Sequence, residues 1–174
     1  VNELIENLDT WVIFLLTVVA APIFEEIMNR KQLIDRVAHY GNRVAIVLSG
    51  VLFGLSHGNF YQFFYAFGLG VVFAYVYINT GKLRYTVIFH AVINFMGSIV
   101  ALLAADNIWF AMAYGIFMIA AVVLGIVFLI LYRREIRLKP AMLAIPRGRR
   151  FETLFLNLGM ILFFFVSVGL FLFS

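Results

Sequence analysis

The chain has 174 residues, of which 64% are hydrophobic and 13% charged, with a mean hydropathy of +1.03. A soluble domain carries roughly half apolar and a quarter charged residues, so this chain lacks the polar surface for water and reads as an all-α, polytopic membrane protein. The pI of 9.6 and net charge of +4 do not indicate nucleic acid, because basic residues at membrane boundaries give the same balance. There is no cysteine, which removes disulfides, thiolate metal sites and a cysteine nucleophile. The chain opens at Val1 with no signal-peptide pattern, so the expectation is a trimmed N-terminus with preceding helices missing.

A spanning helix needs about 20 mainly apolar residues. In chain order the expected spans are 8–34, 44–58, 60–79, 84–105, 108–132 and 152–173, about six in a single membrane-embedded domain covering 1–174. The breaks between them are Arg36 to Arg43, Gly58-Asn59, Thr80-Gly81, Asp106-Asn107, and a long basic segment from Arg133 to Arg150 holding Pro140 and Pro146. Short loops rich in Lys and Arg stay cytoplasmic. If the acidic start (Glu3, Glu6, Asp9) lies outside, all 13 basic residues fall on the inner side, and the Gly58 and Asp106 turns carry none. The expected location is a bacterial cytoplasmic membrane with the basic loops cytoplasmic. The Arg133 to Arg150 segment is then a topology anchor touching anionic lipid rather than a nucleic-acid site.

The aromatic cluster Phe60, Tyr61, Phe63, Phe64 and Tyr65 reads as an interfacial belt. The Phe-rich end (Phe163, Phe164, Phe165, Phe171, Phe173) reads as lipid-facing. Gly50, Gly54 and Gly58 recur every four residues, a spacing for close helix packing.

Ionisable groups inside an apolar span are costly, so they pair, line a hydrated cavity or carry function. Glu25, Glu26, His57 and His90 are such groups, whereas His39 falls in the polar inner loop. Glu26 and Arg30 are four apart on one helical face and can pair. Glu25 is turned roughly 100° from Glu26 and is the less easily neutralised carboxylate, suited to a general base or a proton carrier. Pro22 is expected to leave the Val18 carbonyl without its helical donor. The bland reading of this group is a structural ion cluster at a helix end. His90 and Asn94 share a face and present an imidazole and an amide, enough to hold an oxyanion or orient a water. His57 ends an apolar run of about 21 Å, shorter than the roughly 30 Å hydrocarbon core, and so is expected to face a cavity inside the membrane. Residue counting places it about 5 to 10 Å deeper than Glu25 and His90. A lone histidine in such a span is more often an interhelical hydrogen-bonding residue; two with a glutamate pair favour function.

Glu25-Glu26-x-x-x-Arg30, Phe53-x-x-x-His57 and His90-x-x-x-Asn94, in this order on successive apolar segments, resemble the signature of the CPBP intramembrane proteases. That group includes the CaaX type II prenyl endopeptidases and many bacterial homologues. The match covers about residues 20–97. The resemblance implies a helical membrane fold with its catalytic cavity open to the cytosol. It implies that Glu25, assisted by His57, activates a water, that His90 and Asn94 stabilise the oxyanion, and that Glu26, Arg30 and Phe53 support them. Asn29 replaces an aromatic residue common before the motif arginine, and Lys31 a small residue common after it.

The expected function is an intramembrane endopeptidase cleaving a peptide bond near the cytoplasmic face, acting on a peptide or membrane-protein substrate. The alternatives are a non-proteolytic partner-binding or bacteriocin-immunity protein of the same family, and a proton or ion pathway. Two histidines and a glutamate also make a zinc-ligand set. No His-Glu-x-x-His helix presents two ligands on one face, however, and a glutamate-activated water needs no metal, so no cofactor is expected.

Overall fold

The computed structural model describes residues 9–138 and 149–172, which form seven helices and no strand. Glu3, Glu6, Lys139, Pro140, Pro146, Arg147 and Phe173, all invoked by the sequence reading, lie outside the described residues. Helix α1 is Thr10–Tyr40, α3 Phe60–Thr80, α4 Leu83–Ala105 and α5 Ile108–Tyr132, and all four are long and apolar enough to cross a membrane. The others are α2 (Asn42–Ser56), α6 (Arg150–Phe155) and α7 (Leu158–Leu172). The chain is an all-α integral membrane protein.

Two expected spans differ. The apolar run expected over 152–173 is broken between α6 and α7, where the Asn157 side chain accepts from the Met160 N–H and begins a new helix. The loop expected from Arg36 to Arg43 is mostly helix. α1 continues to Tyr40, carried by buried Ile34 and the Lys31–Asp35 pair one turn apart, and stops at Gly41, whose φ of 112° ends the helical run. His39 therefore sits in the last turn of α1, its ring 3.9 Å from that of Tyr40. At 31 residues α1 is about 46 Å long, more than the hydrocarbon core, so it must tilt or project.

The other breaks fall at the expected turns, each for a local reason. Gly81, at φ 65°, caps α3 and donates to the Tyr77 carbonyl. Asn59 caps the start of α3 by accepting from the Gln62 N–H, and Asn107 caps α5 by accepting from the Trp109 and Phe110 N–H groups.

Contacts divide the chain into two compact units, Val1–Glu25 with Val87–Leu138 and Glu26–Thr86 with Lys139–Ser174. In the first, the N-terminal part of α1 packs on α4, with Phe14 edge-on to Phe95 and the Thr17 hydroxyl 3.5 Å from that of Ser98. The Tyr114 hydroxyl of α5 donates to the Met96 carbonyl of α4 at 2.7 Å. In the second, α2 and α3 form a close antiparallel hairpin around buried Ala45, Leu52, Phe53, Ala66, Phe73 and Ala74. The backbones nearly touch at Gly50 and Gly70: a Cβ on Gly70 would lie 2.9 Å from the Gly50 Cα. Gly50 and Gly54 thus serve close packing, whereas Gly58 is required by a φ of 70° in the turn after α2. Phe171 of α7 packs edge-on against Phe60 and Phe63, so the Phe-rich end is not wholly given over to lipid.

Candidate active site

Glu25 and Glu26 are adjacent in α1 and have different partners. In the second unit, Glu26 and Arg30 are fully buried, with Arg30 Nε 2.9 Å from Glu26 Oε2 and Nη2 donating to Oε1 at 3.2 Å. The planar guanidinium fork meets both carboxylate oxygens, the geometry that best offsets desolvation of the two charges. Its Nη1 donates to the Ser49 hydroxyl at 2.6 Å, and that hydroxyl donates onward to the Asn29 carbonyl at 2.9 Å. Arg30 Cζ lies 4.8 Å from the Phe53 ring centroid and 5.6 Å from that of Phe73, so aromatic faces also meet the charge. Sequence reading missed Ser49; its one signal was a hydroxyl inside an otherwise apolar run.

Phe53 also explains its spacing from His57. Its carbonyl lies 2.7 Å from His57 Nδ1, and the two rings meet edge-on at 4.9 Å. A carbonyl only accepts, so Nδ1 carries the proton, and in the neutral ring Nε2 keeps its lone pair. α2 has 15 residues, about 22 Å, and is shorter than a bilayer core, with His57 at its C-terminal cap.

In the first unit, Glu25 faces α4. Its Oε2 lies 3.9 Å from His90 Nε2, with the carboxylate side chain 37% exposed and the imidazole 4%. That separation exceeds a direct hydrogen bond and is one at which a water can serve both groups. One turn on, Asn94 Nδ2 donates to the Thr17 carbonyl at 2.8 Å, and the Ser98 hydroxyl donates to the Asn94 carbonyl at 2.6 Å. The amide orientation follows from its partner, since only the NH₂ side can donate to a carbonyl.

The backbone beneath these groups departs from α-geometry in three places. Phe14–Ala20, Ile27–Gln32 and Met96–Val100 are π-helical, so Glu25 sits between two wide-turn segments and Asn94 just before a third. Such segments cluster at functional sites because they re-aim side chains at a cost in helix stability. They also bear on the donor that Pro22 lacks. The Ala21 N–H bonds the Leu16 carbonyl in the π register, so the next helical donor in that register, the one due to the Thr17 carbonyl, falls at Pro22, which has none.

Glu25, His90 and Asn94 are thus gathered in the first unit, and Glu26, Arg30, Phe53 and His57 belong to the second. Among the described residues, no three His, Asp or Glu side chains form a metal-holding group. The second unit also holds an apolar cavity of about 370 Å³, lined by Leu55, Phe60, Phe63, Phe171 and neighbours with no titratable group.

The family described as "Type II CAAX prenyl endopeptidase Rce1-like" matches residues 7–96, just over half of the chain, and that stretch contains all three motifs. No curated protein and no solved structure matches the chain.

Proposed function

Because the chain belongs to the Rce1-like type II CAAX prenyl endopeptidase family, a family of membrane proteases, we propose that it hydrolyses a peptide bond with a water activated by Glu25. The observation that carries this reading is the Glu25–His90 pair at 3.9 Å, with Asn94 one turn along the same helix. Glu25 takes a proton from the water as its oxygen bonds to the scissile carbonyl carbon. The resulting oxyanion accepts hydrogen bonds from His90 Nε2–H and the second N–H of the Asn94 amide. Collapse breaks the C–N bond, and the proton held by Glu25 passes to the leaving amine. The role of His57 as a second base rests on its place in the second motif, and within its own unit the hydrogen bond from Nδ1 keeps its Nε2 lone pair available. Glu26, Arg30 and Phe53 position the helix that carries Glu25.

The substrate is a peptide or membrane protein whose scissile bond lies near the cytoplasmic face, as the placement of the basic loops suggests. No step requires a metal, so cleavage should persist after exhaustive chelation. In reconstituted membranes, Glu25→Gln should abolish cleavage, and His90→Ala should lower it by roughly a hundredfold or more. Undiminished cleavage by Glu25→Gln overturns the assignment.

A further inference from the structure

Pro22 lies three residues before the proposed base and is fully buried in α1. Within a helix a proline is a liability, because it removes one backbone donor. Here the missing donor coincides with a contact to the neighbouring helix. With Ala21 N–H bonded to the Leu16 carbonyl, the Thr17 carbonyl could take a helical donor only from position 22, where proline has none. That carbonyl accepts instead from Asn94 Nδ2 at 2.8 Å. A carbonyl partly shielded from water loses stability without a partner, so the contact satisfies a group that α1 itself does not.

We propose that Pro22 is a positioning residue for hydrolysis: by withholding an N–H it keeps the Thr17 carbonyl open to the Asn94 amide. This inference rests on the proposed role of Asn94 at the oxyanion. The amide has two N–H groups. Fixing one on α1 sets the direction of the other and ties the two helices that carry Glu25 and His90 at one level. The Ser98 hydroxyl, bonded to the Asn94 carbonyl and 3.5 Å from the Thr17 hydroxyl, braces the same point from the next turn. An alanine at position 22 would restore the donor, which could then bond the Thr17 carbonyl in place of Asn94.

The test compares Pro22→Ala with replacement of Pro22 by lactic acid through nonsense suppression, which gives an ester link with neither ring nor N–H. The first readout is the side-chain amide proton pair of Asn94 in ¹⁵N-asparagine-labelled protein in micelles, assigned by its loss in Asn94→Asp. The second is the split between kcat and KM for peptide cleavage. Pro22→Ala should shift the bonded Asn94 proton upfield and lower kcat by roughly tenfold to a hundredfold with KM little changed. The lactic acid variant should keep the wild-type proton shift and most of kcat. An unchanged Asn94 signal in Pro22→Ala overturns the proposal, as does a lactic acid variant that behaves like alanine, since the ring would then matter and not the missing donor. If the alanine variant does not accumulate, the lactic acid variant decides alone: a retained shift supports the proposal and a lost one defeats it. The proton shift requires no turnover, so it separates this inference from the catalytic reading, which Glu25→Gln tests.

Discussion

Arg30 is constrained on every side in the second unit, fully buried with its fork on Glu26, its outer nitrogen on Ser49 and aromatic faces at Phe53 and Phe73. Removing one member of a buried ion pair leaves the other charge without compensation. Arg30→Met should therefore destabilise the protein by about 3–5 kcal/mol, read from unfolding in mixed micelles. The double variant Glu26→Gln/Arg30→Met should recover much of that loss, because no net charge is then stranded. Ser49→Ala removes a hydrogen bond to a charged group and should cost about 1.5–3 kcal/mol in the same assay. The pairing of Glu26 with Arg30 was legible from their spacing. The third partner was not, since Ser49 is 19 residues from Arg30 and meets it only when two helices are packed.

At the scale of helices, the α2–α3 hairpin depends on small residues at one crossing. Gly70→Ala would place a Cβ 2.9 Å from the Gly50 backbone, where no side chain can swing aside, and should cost about 1–3 kcal/mol as the helices are forced apart. Gly68→Ala, two residues away with nothing within 4 Å of its Cβ, should be neutral or stabilising by up to about 1 kcal/mol through helix propensity. Thermal unfolding of the two variants in detergent checks the contrast; equal losses would show that helix flexibility and not close approach is at stake. The sequence marked Gly50 and Gly54 as packing residues but could not name Gly70 as their counterpart, because a small-residue pattern does not reveal which helix lies opposite. Turns were more legible, since Gly58, Gly81 and Asn107 act through backbone conformation or capping within a few residues of themselves.

For the whole molecule, the distribution of 13 basic residues predicts that the turn at Lys82 faces the cytoplasm and the turn at Asn107 the opposite side. α4 joins them and, at 23 residues or about 35 Å, is long enough to cross. Because the chain has no cysteine, single substitutions Lys82→Cys and Asn107→Cys report this without background. A membrane-impermeant maleimide applied to intact cells should label the second and not the first. The reverse pattern would invert the orientation and move the proposed cleavage to the other face.

Composition, the apolar runs and three spaced motifs determined by themselves that this is an all-α membrane protein of a CAAX protease family, because bilayer insertion and helical periodicity act locally along the chain. Tertiary structure alone decided the third partner of Arg30 and the meeting of Glu25 with His90. It also decided that Pro22 leaves the Thr17 carbonyl open to Asn94, because the π register at Ala21 sets which carbonyl position 22 would otherwise serve. The physical reason is the same throughout: a π-turn or a contact between helices is stabilised by groups distant in sequence, and a local pattern carries no record of them.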